Sequence, residues 1–438
     1  MKKKIFSAVL TVLILVVSFA SVATAAPETV SSAVVLTDAA SGRILYEKNG
    51  DQQMFPASTT KIMTAVLILE NVDLSETATA SYDAVFSIPV GGSNIGIIQG
   101  EQLTVEQLLY GALVASANEA CNILAEHMSG DIDTFVGQMN AKAKELGMNN
   151  THYVNTHGLH DEAHYTTAHD MAILARHAMQ NETFRKIVST KTYYIEPTEK
   201  YPQQRILSNT NNLLHSTSRY YYTNATGIKT GYTSSAGNCL VSAAQTDNAE
   251  LICVTLGANY HQDGIYSFID SKTLFKYGFE NFKNKSLCKT GDVLAEVKVK
   301  HARGTDHVTA IAQSDTKALL PKDVSISEIR QEIHTQEGLI APVAKHAVIG
   351  TVNYYYNDEL VGTANLIADT EIKKDHWSAF LSGVGAFFTH PLVLIPIILV
   401  IVAFLVLVIM ARVKTKKRRR YLKRKRYRNT NTTTRHRR

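Results

Sequence analysis

A serine and a lysine three residues apart are the first candidates for catalysis. Ser58 and Lys61 follow Pro56 and precede an apolar run from Ile62 to Leu69. Proline suits the first turn of a helix, so we expect Ser58 near a helix N-terminus, where free backbone N–H groups favour a developing anion. Lys61 then lies one turn further along the same face. A desolvated, neutral lysine at that position can take the proton of the serine hydroxyl and make it a nucleophile.

The Ser-x-x-Lys spacing alone is not specific, because roughly two matches are expected by chance in a chain of this length. The spacing also begins at Ser286 and at Ser314. We expect Ser286 in an interdomain segment and Ser314 in a loop of a C-terminal β domain. Only Ser58 is followed by a predicted apolar helix, so Ser58 is the candidate nucleophile.

A second polar group lies between two predicted helices. Ser116-Ala117-Asn118 is the only Ser-x-Asn in the sequence, and helical patterns precede and follow it, at 105–115 and 119–128. A break between two helices lets Ser116 and Asn118 point into a cleft. The alternative is an ordinary helix N-cap, for which serine and asparagine are common.

A Lys-Thr-Gly sequence supplies the third group. By chance it is expected about 0.1 times in this length, yet it begins at both Lys229 and Lys289. Lys229, Thr230 and Gly231 lead into a predicted antiparallel hairpin, where an ammonium group and a hydroxyl group can bind a substrate carboxylate and glycine lets the backbone approach closely. Lys289 precedes a plain turn. We therefore assign the site to Lys229.

The three groups occur in the order of the motifs of penicillin-interacting serine enzymes. The sequence around them resembles the D-alanyl-D-alanine carboxypeptidases, as do further stretches over residues 33–368, including 38–47, 56–65, 164–172 and 227–233. One departure is in the second motif, which in the family resembles Ser-Gly-Asn-Asp and here has Ala117 and Glu119. Another is the C-terminal end, which is predicted to span a membrane rather than lie on it.

The resemblance implies a fold, an activity and a role for each residue. The fold is an α/β (α+β) β-lactamase/transpeptidase-like domain with an antiparallel sheet and a helical cluster. The activity is removal of the terminal D-alanine from peptidoglycan stem pentapeptides through an acyl-enzyme, without a cofactor or metal, and with β-lactam antibiotics as covalent inhibitors. The implied roles are as follows: Ser58 is the nucleophile, Lys61 the base, Ser116 a proton relay, Asn118 a ligand of the substrate amide, Lys229, Thr230 and Gly231 the carboxylate site, and the backbone N–H groups of Ser58 and Tyr232 the oxyanion hole.

Four alternatives remain open at this point. A β-lactamase shares the first and third motifs, but class A members also need a glutamate that positions water, and we find no convincing counterpart. A DD-endopeptidase would use the same residues, and a peptidoglycan-binding scaffold would retain the fold without catalysis. The histidines at positions 157, 160, 164 and 169 suggest zinc, but they lack the nearby glutamate of a zincin helix, and Gly158 interrupts any helix.

The elements that position these residues belong to a mixed α/β domain at 26–284. From about residue 285 the pattern changes to short β-rich segments separated by turns, which predicts a small all-β sandwich at 285–372. A juxtamembrane linker at 373–391 follows. The sequence contains no internal repeat.

Both ends of the chain indicate a membrane. Three lysines, an apolar stretch and small residues ending at Ala25 predict a signal peptide at 1–25, with a retained anchor as the alternative. The uncharged run from Leu392 to Ala411 matches the thickness of a bilayer. The basic residues at 412–438 place the tail in the cytoplasm and the catalytic domain outside the cell.

The charge distribution argues against a nucleic-acid partner. The formal net charge is +6, but 15 of the 45 Lys and Arg residues lie at 412–438 and three more in Lys2–Lys4, which leaves 27 against 39 acids. The exported body is therefore acidic. The four cysteines have no metal-type spacing, and we expect buried free thiols. The sequence does not predict an oligomeric state.

Overall fold

A five-stranded antiparallel sheet carries the third motif. The structure, a computed structural model, describes residues 26–261 and 263–433, so the predicted signal peptide lies outside the described residues. The strands follow the order β2-β1-β9-β8-β7. Their bounds are Ala33–Asp38 (β1), Ile44–Lys48 (β2), Ala225–Thr233 (β7), Gly237–Gln245 (β8) and Glu250–Ala258 (β9). The central strands are buried along almost their whole length because helices cover both faces.

The helical cluster lies mainly on one face of this sheet. Its helices are α1 (Lys61–Asn71), α2 (Tyr82–Phe86), α3 (Val105–Leu113), α4 (Asn118–Ser129), α5 (Ile132–Leu146), α6 (Ala168–Ala178) and α7 (Glu182–Ser189), and α8 (Tyr266–Asn281) packs on the other face. Two short hairpins complete the domain: β3 (Thr77–Thr79) with β4 (Gln102–Thr104), and β5 (Thr192–Ile195) with β6 (Arg205–Ser208). A two-stranded pair, β10 (Tyr260–His261) and β11 (Gly264–Ile265), precedes α8. The predicted α/β domain with an antiparallel sheet and a helical cluster is confirmed.

Local sequence explains the helix bounds around the site. Thr104 and Gln107 form a capping box that starts α3. The α-helix of the first motif begins at Lys61 rather than at Pro56, because residues Ala57–Thr60 form a 3-10 turn. The side chains of Thr59 and Thr60 bond the carbonyl groups of Pro56 and Ala57, which holds this tighter turn in place.

The C-terminal region is β-rich, as predicted. A five-stranded sheet follows the order β13-β14-β18-β17-β16, and β12 pairs with β15. The bounds are Phe282–Cys288 (β12), Val293–Lys298 (β13), His307–Ala312 (β14), Thr316–Pro321 (β15), Arg330–Thr335 (β16), Val348–Tyr356 (β17) and Glu359–Ala368 (β18). Ser286 lies in β12, opposite Lys317, so our placement of it in an interdomain segment was wrong. It is a strand residue because β15 provides its backbone partner.

Two helices end the described chain, α9 (His376–Thr389) and α10 (Pro391–Thr433). Residues Pro391–Arg426 of α10 form a candidate membrane span of 36 residues, with a mean hydropathy of 3.6 over its most apolar 18-residue window. The predicted span, Leu392 to Ala411, lies within it. The cysteines at positions 121, 239, 253 and 288 are buried free thiols.

Candidate active site

Ser58 lies in the 3-10 turn before α1, within reach of Lys61. The Nζ atom of Lys61 is 3.0 Å from the Oγ atom of Ser58. Ala57, just before Ser58, has a φ of +47°, which L residues rarely adopt. Gly158 packs against it so closely that a Cβ atom there would lie 1.8 Å from the Ala57 carbonyl oxygen. Gly158, which is far from Ser58 in the sequence, therefore packs directly on the backbone of the turn that carries Ser58.

Lys61 is fully buried and has three polar neighbours. Besides Ser58, its Nζ atom lies 2.6 Å from Asn118 Oδ1 and 2.8 Å from the carbonyl oxygen of His157. Burial lowers the pKa of Lys61 to about 8, although the nearby Cys121 thiol and Glu119 carboxyl act in the opposite direction. A carbonyl or amide oxygen can only accept a hydrogen bond. A neutral Lys61 therefore donates to Asn118 and His157, and its lone pair is left for the Ser58 hydroxyl.

The second motif forms the break between α3 and α4. Ser116 has a φ of +64° and is almost buried, and it lines the cleft. Ala117 has a φ of −61° and a ψ of 122°, so alanine fits where the family has glycine. Asn118 begins α4, and because its oxygen faces Lys61, its Nδ2 group is the end that faces the cleft.

The third motif lies on β7, the edge strand next to the Ser58 turn. Lys229 is buried, and its Nζ atom lies 3.1 Å from the carbonyl oxygen of Thr230. Burial lowers the pKa of Lys229 well below its usual range, and the positive charge of Lys61 adds to this effect. A Cβ atom on Gly231 would lie 3.0 Å from the backbone nitrogen of Ser58, so a side chain there would push β7 and the Ser58 turn apart.

A cleft of about 380 Å³ brings the three motifs together. Six predicted site residues line it: Ser58, Ser116, Asn118, Thr230, Gly231 and Tyr232. The other two, Lys61 and Lys229, are buried. None of the described residues that line the cleft carries a carboxylate side chain. The cleft therefore lacks the glutamate that a class A β-lactamase uses for deacylation.

Three contributors to the site carry no sequence motif. The His157 carbonyl group contacts Lys61, and the Oγ1 atom of Thr210 lies 2.6 Å from that of Thr230. Gly91, Gly92 and Ser93 form another part of the wall. A backbone carbonyl group and a common threonine give no signal in sequence, so only their positions in the fold reveal them.

The competing matches lie elsewhere. Thr290 of the second Lys-Thr-Gly donates through its backbone and its hydroxyl group to Asp315 in a turn. Among the histidines, His164 is hydrogen-bonded to Thr60, and burial lowers the pKa of His164 to about 4 and that of His157 to about 3. These two imidazoles are neutral and packed within the domain.

Comparison with known proteins agrees with this geometry. Residues 20–260 match the family model described as D-alanyl-D-alanine carboxypeptidase, and residues 282–374 match that of the penicillin-binding protein 5 C-terminal domain. The chain is 32% identical to D-alanyl-D-alanine carboxypeptidase DacF of Bacillus subtilis, over 80% of this chain and 88% of the relative. It is 31% identical to DacA of Haemophilus influenzae, over 78% and 84% of the two chains.

Solved structures give the same result. Penicillin binding protein 5 from Haemophilus influenzae has a TM-score of 0.67 at 30% identity and covers 80% of this chain and 100% of its own. A peptidoglycan synthesis regulatory factor (PBP3) from Streptococcus pneumoniae has a TM-score of 0.69 at 26% identity, over 79% and 100% of the two chains. These matches favour a carboxypeptidase over a β-lactamase. The chain belongs to the D-alanyl-D-alanine carboxypeptidase family, the low-molecular-mass penicillin-binding proteins that act as serine peptidases.

Proposed function

We propose that Ser58 is the nucleophile of this D-Ala-D-Ala carboxypeptidase and that Lys61 is its base. The observation that carries the proposal is the distance of 3.0 Å between Lys61 Nζ and Ser58 Oγ, together with the two acceptors that occupy the other sides of the amine. Neutral Lys61 takes the hydroxyl proton as Ser58 attacks the carbonyl carbon between the two terminal D-alanines. The backbone N–H groups of Ser58 and Tyr232 stabilise the oxyanion that forms.

The remaining residues bind the substrate and complete the reaction. The Nδ2 group of Asn118 donates to the substrate amide, and Ser116 passes a proton to the departing D-alanine. Lys229 and Thr230 bind the terminal carboxylate, whose negative charge favours the protonated form of the buried Lys229. Gly231 keeps β7 close enough for this contact. Water then releases the shortened peptide from Ser58.

The substrates in this proposal are peptidoglycan stem pentapeptides, and β-lactams acylate the same serine. The proposed peptidase domain is residues 26–284, the β domain 285–372 and the juxtamembrane segment 373–391. We place the peptidase outside the cell and residues 412–438 in the cytoplasm. The support for this orientation is the dense basic sequence after the apolar span, since such residues remain on the cytoplasmic side.

D-alanine release tests the proposal directly. We would measure it with detergent-solubilised full-length protein and a diacetyl-Lys-D-Ala-D-Ala peptide, comparing wild type with Ser58→Ala. We expect release and covalent labelling by fluorescent penicillin to disappear together in the variant. Labelling that survives Ser58→Ala would refute the assignment of the nucleophile. A wild type that is labelled but releases no D-alanine would indicate an endopeptidase or a scaffold.

A further inference from the structure

One wall of the cleft has no regular secondary structure of its own. Residues 87–101 join α2 to β4 without a helix or a strand, yet Gly91, Gly92 and Ser93 of this segment line the cleft. A loop of 15 residues that contains four glycines has many accessible backbone conformations. The position of this wall must therefore be set by contacts that the loop makes with the rest of the domain.

Two charged side chains hold the loop at Ile95 from opposite sides. The backbone N–H of Ile95 donates to Glu119 Oε1 at 2.7 Å, and the carbonyl oxygen of Ile95 accepts from Arg205 Nε at 2.9 Å. Arg205 also donates to the carbonyl oxygen of Gly96 at 2.9 Å. Two residues earlier, the carbonyl oxygen of Ser93 accepts from the backbone N–H of Asn118 at 2.9 Å. We call this set of contacts the Ile95 clamp.

The Ile95 clamp buries two ionisable side chains. Glu119 and Arg205 are 2% and 5% exposed. Arg205 is compensated by a bidentate pair with Glu101, with both N···O distances 2.8 Å. The Glu119 carboxyl group has no such bidentate partner: its Oε2 atom is buried without a hydrogen-bond partner among the residues that the structure describes, and burial raises the pKa of Glu119. Such a carboxyl group does not serve stability alone, because a buried acceptor atom without a hydrogen-bond partner destabilises the folded state.

Glu119 lies next to a proposed catalytic-site residue in the sequence, which relates the Ile95 clamp to the proposed reaction. Glu119 directly follows Asn118, whose Nδ2 group faces the cleft and whose Oδ1 atom contacts Lys61. The first turn of α4 thus carries both the proposed substrate-binding amide and the group that holds the neighbouring wall. Glu119 is also where this chain departs from the aspartate of the family motif, and its extra methylene adds about 1.5 Å of reach toward Ile95.

We propose that Glu119 and Arg205 are positioning residues that fix the wall formed by Gly91, Gly92 and Ser93 relative to Asn118. The inference rests on the proposed function, because it assumes that Asn118 binds the substrate. The wall then closes the cleft at a set distance from the substrate amide. The contribution to the reaction is orientation, where a displacement of about 1 Å can cost roughly 100-fold in rate.

Two substitutions of Glu119 distinguish the effect of its hydrogen-bond acceptor from the effect of its charge. Glu119→Gln keeps an oxygen in reach of the Ile95 N–H and removes the charge, whereas Glu119→Asp keeps the charge and withdraws the oxygen. Detergent-solubilised full-length protein would be titrated with fluorescent penicillin to count active sites. For each active site, kcat and KM for D-alanine release would follow, with hydrogen exchange of the peptide covering residues 87–101. Glu126→Ala on the same helix is the control.

We expect Glu119→Gln to retain kcat within about threefold and Glu119→Asp to lose roughly tenfold per active site. Exchange at 87–101 should accelerate in the Asp variant only. The reverse order would indicate an electrostatic role and overturn the proposal, as would wild-type kcat and exchange in Glu119→Asp. If wild type itself neither reacts with penicillin nor releases D-alanine, the proposed function fails, while the exchange data still test the clamp.

Discussion

The amide oxygen of Asn118 lies 2.6 Å from the Nζ atom of Lys61. Lysine has no acceptor while it is protonated, and its neutral lone pair already faces Ser58, so the atom of Asn118 that faces Lys61 is the oxygen. This contact orients the whole carboxamide, with the nitrogen toward the cleft. It also joins the first motif to the second, because the side chain that we propose as a substrate ligand contacts the proposed base.

The acylation rate should rise with pH. Burial lowers the pKa of Lys61 to about 8, and only the neutral amine can accept the Ser58 proton. The second-order rate constant for acylation by a fluorescent penicillin should therefore increase about tenfold per pH unit well below 8 and level off above it. Stopped-flow or quench measurements from pH 6 to pH 10 would show this profile.

The matched variant for this prediction is Lys61→Arg. Its guanidinium group remains protonated over the whole range, so acylation should be abolished without recovery at high pH. A wild-type rate that is constant between pH 6 and pH 9 would contradict the assignment of Lys61 as the base in the free enzyme.

Thr210 should contribute to carboxylate recognition. Its hydroxyl group lies 2.6 Å from that of Thr230 in the cleft, so it can orient the Thr230 proton toward a bound carboxylate. Thr210→Val retains the shape and removes the hydroxyl group, which should raise KM for a D-Ala-D-Ala substrate roughly five- to tenfold, the value of about one hydrogen bond. The test is to compare the peptide acid with its terminal carboxamide.

Thr210→Ser is the control, since it keeps the hydroxyl group and should retain the preference for the acid. In Thr210→Val the preference for the acid over the carboxamide should shrink. An equal loss with both substrates would mean that the threonine supports the strand rather than the carboxylate.

Sequence patterns were sufficient for the parts of the site that depend on local spacing. One helical turn brings Lys61 back to Ser58, and Thr230 and Gly231 follow each other on one strand. The type and the spacing of these residues were therefore enough to predict which of them belong to the site. They did not reveal the His157 carbonyl group, because every residue has one. The 3-10 turn before Lys61 was also missed, since it depends on how Thr59 and Thr60 bond the backbone.

Contacts between residues that are far apart in the sequence could not be predicted from it, for a different reason. The contact between Glu119 and Ile95 joins residues 24 positions apart, and nothing in either local sequence selects the other. Glu119 was noticed only as a departure from the family motif, and its partner became evident from the fold. The same holds for Thr210, in the loop after β6, and Thr230 in β7, which are 20 positions apart.

Gly158→Ala should destabilise the domain and displace Ser58. Gly158 has a φ of +87°, and an added Cβ atom would lie 1.8 Å from the Ala57 carbonyl oxygen. Backbone strain and overlap together should lower the free energy of unfolding by at least about 2 kcal/mol. Thermal unfolding and the rate of penicillin labelling per active site would both be measured.

Gly137→Ala serves as the control for that substitution. Gly137 lies within α5, and apart from the backbone of that helix a Cβ atom there would meet no heavy atom of the described residues within 4 Å. Alanine is the better helix former, so this variant should be stabilised by roughly 0.5–1 kcal/mol and be labelled normally. If Gly158→Ala proved as stable and as reactive as Gly137→Ala, the close packing of Gly158 on the Ser58 turn would be refuted.

The proposed topology can be tested with single engineered cysteines, because the four native thiols are buried and give little background. Glu337 is an exposed residue of the β-rich region, and Lys425 lies in the basic part of α10. With a membrane-impermeant maleimide applied to intact protoplasts, Glu337→Cys should be labelled at once. Lys425→Cys should be labelled only after permeabilisation, because the basic segment remains on the cytoplasmic side of the span. Labelling of Lys425→Cys in intact protoplasts would show that α10 does not cross the membrane as proposed, and the anchoring would then have to come from the apolar helix lying at the surface.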